Sequence, residues 1–144
     1  MPVGHGSLLL GISLGFQSLF DAGSISHLPL LIGVQATVCA PLYEAYRKES
    51  VEVDPVPEGK TLAAGVSISD PFHGKEVLAA IRSSGGSILK VEESDILQGH
   101  KQLAKLGLYV EMTSALVWSA LEQVQESVPE PIVCIISGHG LKNG

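Results

Sequence analysis

The sequence predicts an α/β fold with a mostly parallel sheet and helices on both faces. Short, nearly continuous apolar segments alternate along the chain with longer segments whose apolar residues recur every three or four positions. Strands separated by helices pair in parallel through right-handed crossovers. The 144 residues are 45% hydrophobic, enough for one domain to bury a core. We therefore expect a single α/β domain over residues 1–144.

Charge and composition exclude several classes of partner. The formal charge is −6 and the basic residues are scattered, so a nucleic-acid groove or an anionic-membrane patch is not expected. Cys39 and Cys134 lie in apolar segments without zinc-site spacing. The early apolar segment Leu8–Leu14 is too short to span a bilayer, and no basic leader precedes it. These features predict a soluble cytoplasmic protein.

The first third of the chain predicts two strands and two helices. Pro2 and Val3 have the character of a strand end that enters the turn Gly4–Ser7. Helical spacing then predicts a helix from Ser7 to Ala22, which Gly23 ends. The predicted elements that follow are a doubly covered strand at 30–36, a helix at 40–48 and a proline-containing loop at 49–59.

The remaining elements repeat this alternation. A helix is predicted over 74–83 and a strand over 87–91. Ser94 offers an N-cap for a helix to Leu106, and Thr113 or Ser114 for another to Gln125. The predicted last strand runs from Pro131 to Ser137.

Two glycine-containing turns follow predicted strands and could hold a ligand. In open parallel sheets, ligands bind beyond the carboxyl ends of the strands. Gly4-His5-Gly6-Ser7 precedes a helix, so its N–H groups, the helix dipole and the Ser7 hydroxyl favour a phosphomonoester. Ser137-Gly138-His139-Gly140 follows the last predicted strand, where the Ser137 hydroxyl could bond to a ring that approaches the backbone. An ordinary tight turn remains the alternative at either position.

A nucleophile elbow is a competing interpretation. Gly11-Ile12-Ser13-Leu14-Gly15 matches G-x-S-x-G, and Ser13, Asp70 and His139 follow the chain order of an α/β-hydrolase triad. An elbow needs a full strand before its serine, whereas the spacing here predicts one continuous helix. The pattern therefore favours the helix.

Four stretches resemble threonine synthases in order and spacing. They are Pro2–Gly11, Leu31–Leu42, Gly107–Ala115 and Ser137–Lys142. The chain resembles the carboxyl-terminal half of these fold type II pyridoxal-phosphate enzymes, similar to tryptophan synthase β. The resemblance implies that Gly4, His5, Gly6 and Ser7 hold the pyridoxal 5'-phosphate phosphate group and that Ser137 bonds to the pyridine nitrogen.

The implied activity converts O-phosphohomoserine to threonine. The alternatives are a serine/threonine ammonia-lyase, a β-replacement enzyme or a non-catalytic assembly module. A neutral hydroxyl at the ring nitrogen, as the resemblance implies for Ser137, favours elimination and replacement over transamination.

The chain departs from the family pattern at three places. Met112 stands where proline is common, and Gln35 and Pro41 stand where some relatives have cation-binding carboxylates, so no metal site is expected. None of the seven lysines lies in the family's Schiff-base lysine motif. The chain is therefore expected to be a fragment, one piece of a split enzyme or a degenerate paralogue, inactive alone. Its expected partners are an amino-terminal half or full-length relative, an amino-acid substrate and a second copy of itself.

Overall fold

A computed structural model describes residues 1–143 and shows a mixed α/β architecture. Its helices and strands are α1 (Ser7–Asp21), β1 (Ile32–Ala36), α2 (Pro41–Arg47), α3 (Gly74–Ser83), β2 (Ser87–Val91), α4 (Glu93–Lys105) and α5 (Met112–Val124). Short 3₁₀ turns occupy Ala64–Val66 and Gly140–Asn143. None of the helices in these residues is long and apolar enough to cross a membrane.

The sheet is parallel, as predicted. β1 and β2 pair in register from Ile32 with Ser87 to Ala36 with Val91. The chain start adds a short edge to β1, because Val3 N donates to Val34 O at 3.0 Å and Val34 N donates to Met1 O at 2.9 Å. The predicted strand end at Pro2 and Val3 is thus confirmed, and it delivers the chain to the turn at Gly4.

Helices cover both faces of the sheet, which confirms the predicted fold class. One buried cluster joins β-strand residues to α1, α2 and α3, and it contains Val3, Leu9, Leu31, Leu42, Ala45, Val77, Leu78, Ile81 and Ile88. The other joins the opposite face to α4 and α5, and it includes Val34, Ala36, Val91, Ile96, Leu103, Leu116 and Ala120. The alternation of Ile88 and Val91 between the two clusters follows from the two-residue period of a strand.

The predicted N-caps are wrong, although the helices are present. Glu92 and Glu111 occupy the N-cap positions of α4 and α5. Ser94 therefore lies inside the first turn of α4, and Thr113 and Ser114 lie inside that of α5. The prediction assumed that a hydroxyl near a helix start serves the helix, whereas Thr113 and Ser114 bond to other segments.

The predicted last strand is also wrong. Residues 131–137 have no ladder partner within residues 1–143, and Val133 is 75% exposed. Pairing resumes only at His139, which forms an isolated antiparallel bridge with Val110. An apolar run satisfies one requirement of a strand, but the backbone also needs a neighbour with free hydrogen-bonding groups.

Candidate functional site

The turn Gly4–Ser7 is tightly packed against two other segments. Gly6 is the N-cap of α1 with φ 98°, and a Cβ there would collide with the Val77 side chain of α3. A Cβ on Gly4 would lie 2.9 Å from the Gly65 carbonyl oxygen. The sequence therefore needs glycine at both positions, because the backbone of the turn lies directly on its neighbours.

The N–H groups at the start of α1 are available to a ligand. No side chain caps this helix. Val3 N and Leu10 N have backbone acceptors, but within residues 1–143 the N–H groups of 4–9 have none. Consecutive N–H groups at a helix start, together with the positive end of the helix dipole, form an anion-binding arrangement. The donor set therefore fits a phosphate group.

His5 holds the turn in place through contacts with the segment before α3. Its carbonyl oxygen accepts from His73 N at 3.1 Å, and its ring Nδ1 accepts from Phe72 N at 3.3 Å. The side chain is therefore engaged by the protein, and the backbone of His5 is the part that faces the N–H cluster.

The turn at 137–140 is held mainly by the start of α5. Gly138 N donates to Ser114 Oγ at 2.9 Å, and Gly138 O accepts from Glu111 N at 3.1 Å. The Glu111 carboxylate packs where a Gly138 Cβ would lie. The Ser137 side chain is exposed, and no hydrogen bond to its hydroxyl is formed within the described residues. That hydroxyl can therefore bond to a ligand.

A short chain of contacts connects the two turns. Gly4 lies on the Gly65 carbonyl, and Gly65 N donates to Thr113 Oγ1 at 3.1 Å. The next residue, Ser114, bonds to Gly138. Sequence reasoning did not assign this connection, although the hydroxyls of Thr113 and Ser114 were noticed as candidate caps.

Two buried or partly buried ionisable groups lie near the sheet edge. The Met1 amine donates to Ile32 O at 2.8 Å, and burial lowers its pKa to about 6. Burial raises the pKa of the Cys134 thiol, and the nearby Met1 amine partly offsets this shift. The thiol of Cys134 is therefore not an activated nucleophile.

The nucleophile-elbow alternative does not fit the structure. Leu8, Leu9 and Leu10 belong to α1, so Ser13 lies in mid-helix and not at a strand-to-helix turn. The geometry of an elbow is therefore absent at this serine.

The positions noted for a cation carry structural contacts instead. Gln35 is buried, with Nε2 donating to Val3 O at 3.3 Å and Oε1 accepting from Tyr43 N at 3.1 Å. Pro41 is the first residue of α2. In the described part of the chain, no group of three or more His, Cys, Asp or Glu side chains could hold a metal ion.

A family model described as pyridoxal-phosphate dependent enzyme matches residues 1–138. The chain belongs to the pyridoxal-phosphate dependent enzyme family. Threonine synthase from Methanocaldococcus jannaschii is 36% identical over 148 residues, and threonine synthase from Methanosarcina acetivorans is 32% identical. Each alignment covers 99% of this chain and 36% of the relative, so the chain spans about a third of the length of these relatives.

Solved structures of similar enzymes share the fold. A bacterial threonine deaminase, from T.th., has a TM-score of 0.75 at 23% identity, with 96% of this chain and 47% of that chain covered. An L-serine ammonia-lyase from Rhizomucor miehei has a TM-score of 0.73 at 17% identity, with 96% of this chain and 44% of that chain covered. The resemblance to threonine synthases and the predicted cofactor class, pyridoxal phosphate, are confirmed.

Proposed function

We propose that this chain binds pyridoxal 5'-phosphate between its two glycine turns. The phosphate group would be held by the backbone of Gly4, His5 and Gly6 with the N–H and hydroxyl of Ser7, and the pyridine nitrogen by Ser137. The observation that supports this most strongly is the row of N–H groups at 4–9 that has no acceptor within residues 1–143. The match of the family model over 1–138 supports the choice of cofactor.

The proposed reaction class is elimination or replacement on an amino acid, with threonine synthesis from O-phosphohomoserine as the first candidate. When bound, pyridoxal phosphate supplies an electron sink for such chemistry. The neutral Ser137 hydroxyl would not stabilise a protonated ring nitrogen as a carboxylate does, which limits that sink. The threonine synthases among the relatives support the first candidate. The alternatives are a serine/threonine ammonia-lyase and a β-replacement enzyme.

The Schiff-base lysine of the reaction would come from another polypeptide segment, either an amino-terminal half or a full-length relative. Lys75 pairs with Glu52 at 2.9 Å and is exposed, and Lys90 lies near Glu44 and over the Tyr43 ring. These contacts support a surface role for both lysines. In this proposal the 144 residues bind and orient the cofactor, and they do not complete the reaction alone.

Binding of pyridoxine 5'-phosphate, which has no aldehyde to react with surface lysines, tests the proposal. Isothermal titration of the chain should show saturable binding with one site. Ser7→Ala should weaken binding about tenfold, since a hydrogen bond to a charged group contributes about 1.5–3 kcal/mol. Ser13→Ala, in mid-helix on α1, is the matched control and should bind like the unsubstituted chain. A folded chain without saturable binding would contradict the proposal.

We also propose that the chain self-associates through the outer face of α1. This face contains Leu14, Leu19 and Phe20, all exposed, and no charged residue occurs between Ser7 and Phe20. A face without charge can pair with a second copy of itself around a two-fold axis. In sedimentation equilibrium, Leu14→Glu should shift the chain from dimer towards monomer, whereas Gln17→Glu should leave the dimer unchanged. Dimerisation of a chain that binds no pyridoxine 5'-phosphate would favour the second candidate function, a non-catalytic assembly module.

A further inference from the structure

Two consecutive hydroxyl side chains in the first turn of α5 bond to two separate segments. Thr113 is 7% exposed and Ser114 is fully buried. Neither hydroxyl serves as the N-cap of the helix, since Glu111 holds that position. Buried hydroxyls need partners, so their bonds to other segments are part of the fold energetics.

Thr113 connects α5 to the first turn of the candidate site. Its Oγ1 accepts from Gly65 N at 3.1 Å, and a Cβ on Gly65 would lie 2.8 Å from the same oxygen. The Gly65 carbonyl in turn lies against Gly4. A change in the position of Thr113 therefore changes the support under Gly4.

Ser114 connects the same helical turn to the second turn of the site. Its Oγ accepts from Gly138 N at 2.9 Å and donates to Gly138 O at 3.3 Å. Gly138 follows Ser137 directly. Ala115 and Leu116, the next residues of α5, are fully buried, so this helical turn is itself fixed in the core.

We propose that Thr113 and Ser114 are positioning residues that fix the separation between the phosphate turn at Gly4–Ser7 and the ring-nitrogen hydroxyl of Ser137. This inference rests on the proposed function. A rigid ligand with a phosphate at one end and a ring nitrogen at the other benefits from both ends only when the protein holds them at the matching separation. One helical turn bonded to both segments meets that requirement without a contact to the ligand.

The test compares two ligands, inorganic phosphate and pyridoxine 5'-phosphate, on the folded chain and its variants. The measured quantity is the ratio of their dissociation constants, which reports the contribution of the ring end. Ser114→Ala and Thr113→Val should each lower this ratio about tenfold, because a buried N–H then loses its acceptor and its turn moves. Thr113→Ser keeps the hydroxyl and should keep the ratio. Ser119→Ala is the control, since that hydroxyl donates to Asp95 O and touches neither turn.

The outcomes separate this inference from the function on which it rests. Unchanged ratios in folded Ser114→Ala and Thr113→Val would overturn the positioning role and leave cofactor binding in place. A chain that binds neither ligand would overturn the proposed function and the positioning role with it. A uniform loss of stability alters both dissociation constants together, so it does not imitate a change in their ratio.

Hydrogen exchange on the unsubstituted chain gives a second measurement that does not depend on how the variants fold. Pyridoxine 5'-phosphate should slow exchange of the Gly65 and Gly138 amide hydrogens together, because one helical turn accepts both. Inorganic phosphate, which engages only the first turn, should slow exchange at Gly65 more than at Gly138. Protection of Gly65 alone by pyridoxine 5'-phosphate would overturn the positioning role.

Discussion

Helices α1 and α3 pack on the same buried cluster, yet they use their apolar residues differently. α3 has charged residues at both ends and buries Val77, Leu78 and Ile81 completely. α1 is more apolar, with Asp21 as its only charged residue, but only Leu9 is buried. The helix with fewer apolar residues therefore contributes more to the core.

The difference shows that apolar content and burial are separate properties. α3 lies between the sheet and the Gly4–Ser7 turn, so its inner face is covered along most of its length. α1 contacts the core mainly at its first turn, and the positions where Cβ atoms of Gly11 and Gly15 would lie have no heavy atom within 4 Å. The remaining apolar surface of α1 is available to a partner.

The largest expected effect is the contrast between one leucine in each helix. Leu78→Ala should lower the free energy of unfolding by about 2–5 kcal/mol, because the side chain is fully buried and leaves a cavity. Leu14→Ala, at a position that is 67% exposed, should change it by less than about 0.5 kcal/mol. Urea unfolding at a concentration where the chain is monomeric measures both.

The self-associated chain sharpens the same comparison. At a concentration that favours the dimer, Leu14→Ala should become destabilising, since binding to the folded state adds to its apparent stability. A cost for Leu14→Ala equal to that of Leu78→Ala in the monomer would contradict the difference between the two helices.

A smaller contrast is expected between a glycine inside α1 and the glycine at its N-cap. Gly6→Ala should cost about 1–3 kcal/mol, because residue 6 has φ 98° and the new Cβ would meet Val77 of α3. Gly11→Ala has open space and should stabilise the monomer by about 0.5–1 kcal/mol through helix propensity. Thermal unfolding of the two variants gives the sign of each change. Destabilisation of the monomer by Gly11→Ala would indicate a contact on that face of α1.

Local patterns were sufficient to predict most helices and strands. The bounds predicted for α3 and β2 agree with the structure, and α1 differs from its prediction by one residue at its end. Gly23 and Gly107 have positive φ where helix ends were predicted. These elements are determined by residue spacing and by backbone preferences within one segment, which a single sequence contains.

The errors have a different physical origin, since each depends on residues far apart in the chain. The apolar run at 131–137 was predicted as a strand, but pairing depends on a neighbour that no pattern within the run reveals. The hydroxyls of Thr113 and Ser114 were predicted as caps, but their partners Gly65 and Gly138 are 48 and 24 positions away. The phosphate turn was predictable because its N–H donors and its helix are adjacent in sequence.

The buried amide of Gln35 gives the short edge of the sheet a single alignment. Its two ends bond to Val3 O and Tyr43 N, so they tie the start of the chain to β1 and α2 at once. A slip of the edge by one residue would leave a polar group unsatisfied in the core, at a cost of about 1–3 kcal/mol. The short segment at the chain start can thus arrive at the same position in every molecule, and the anion-binding turn that follows it inherits that accuracy.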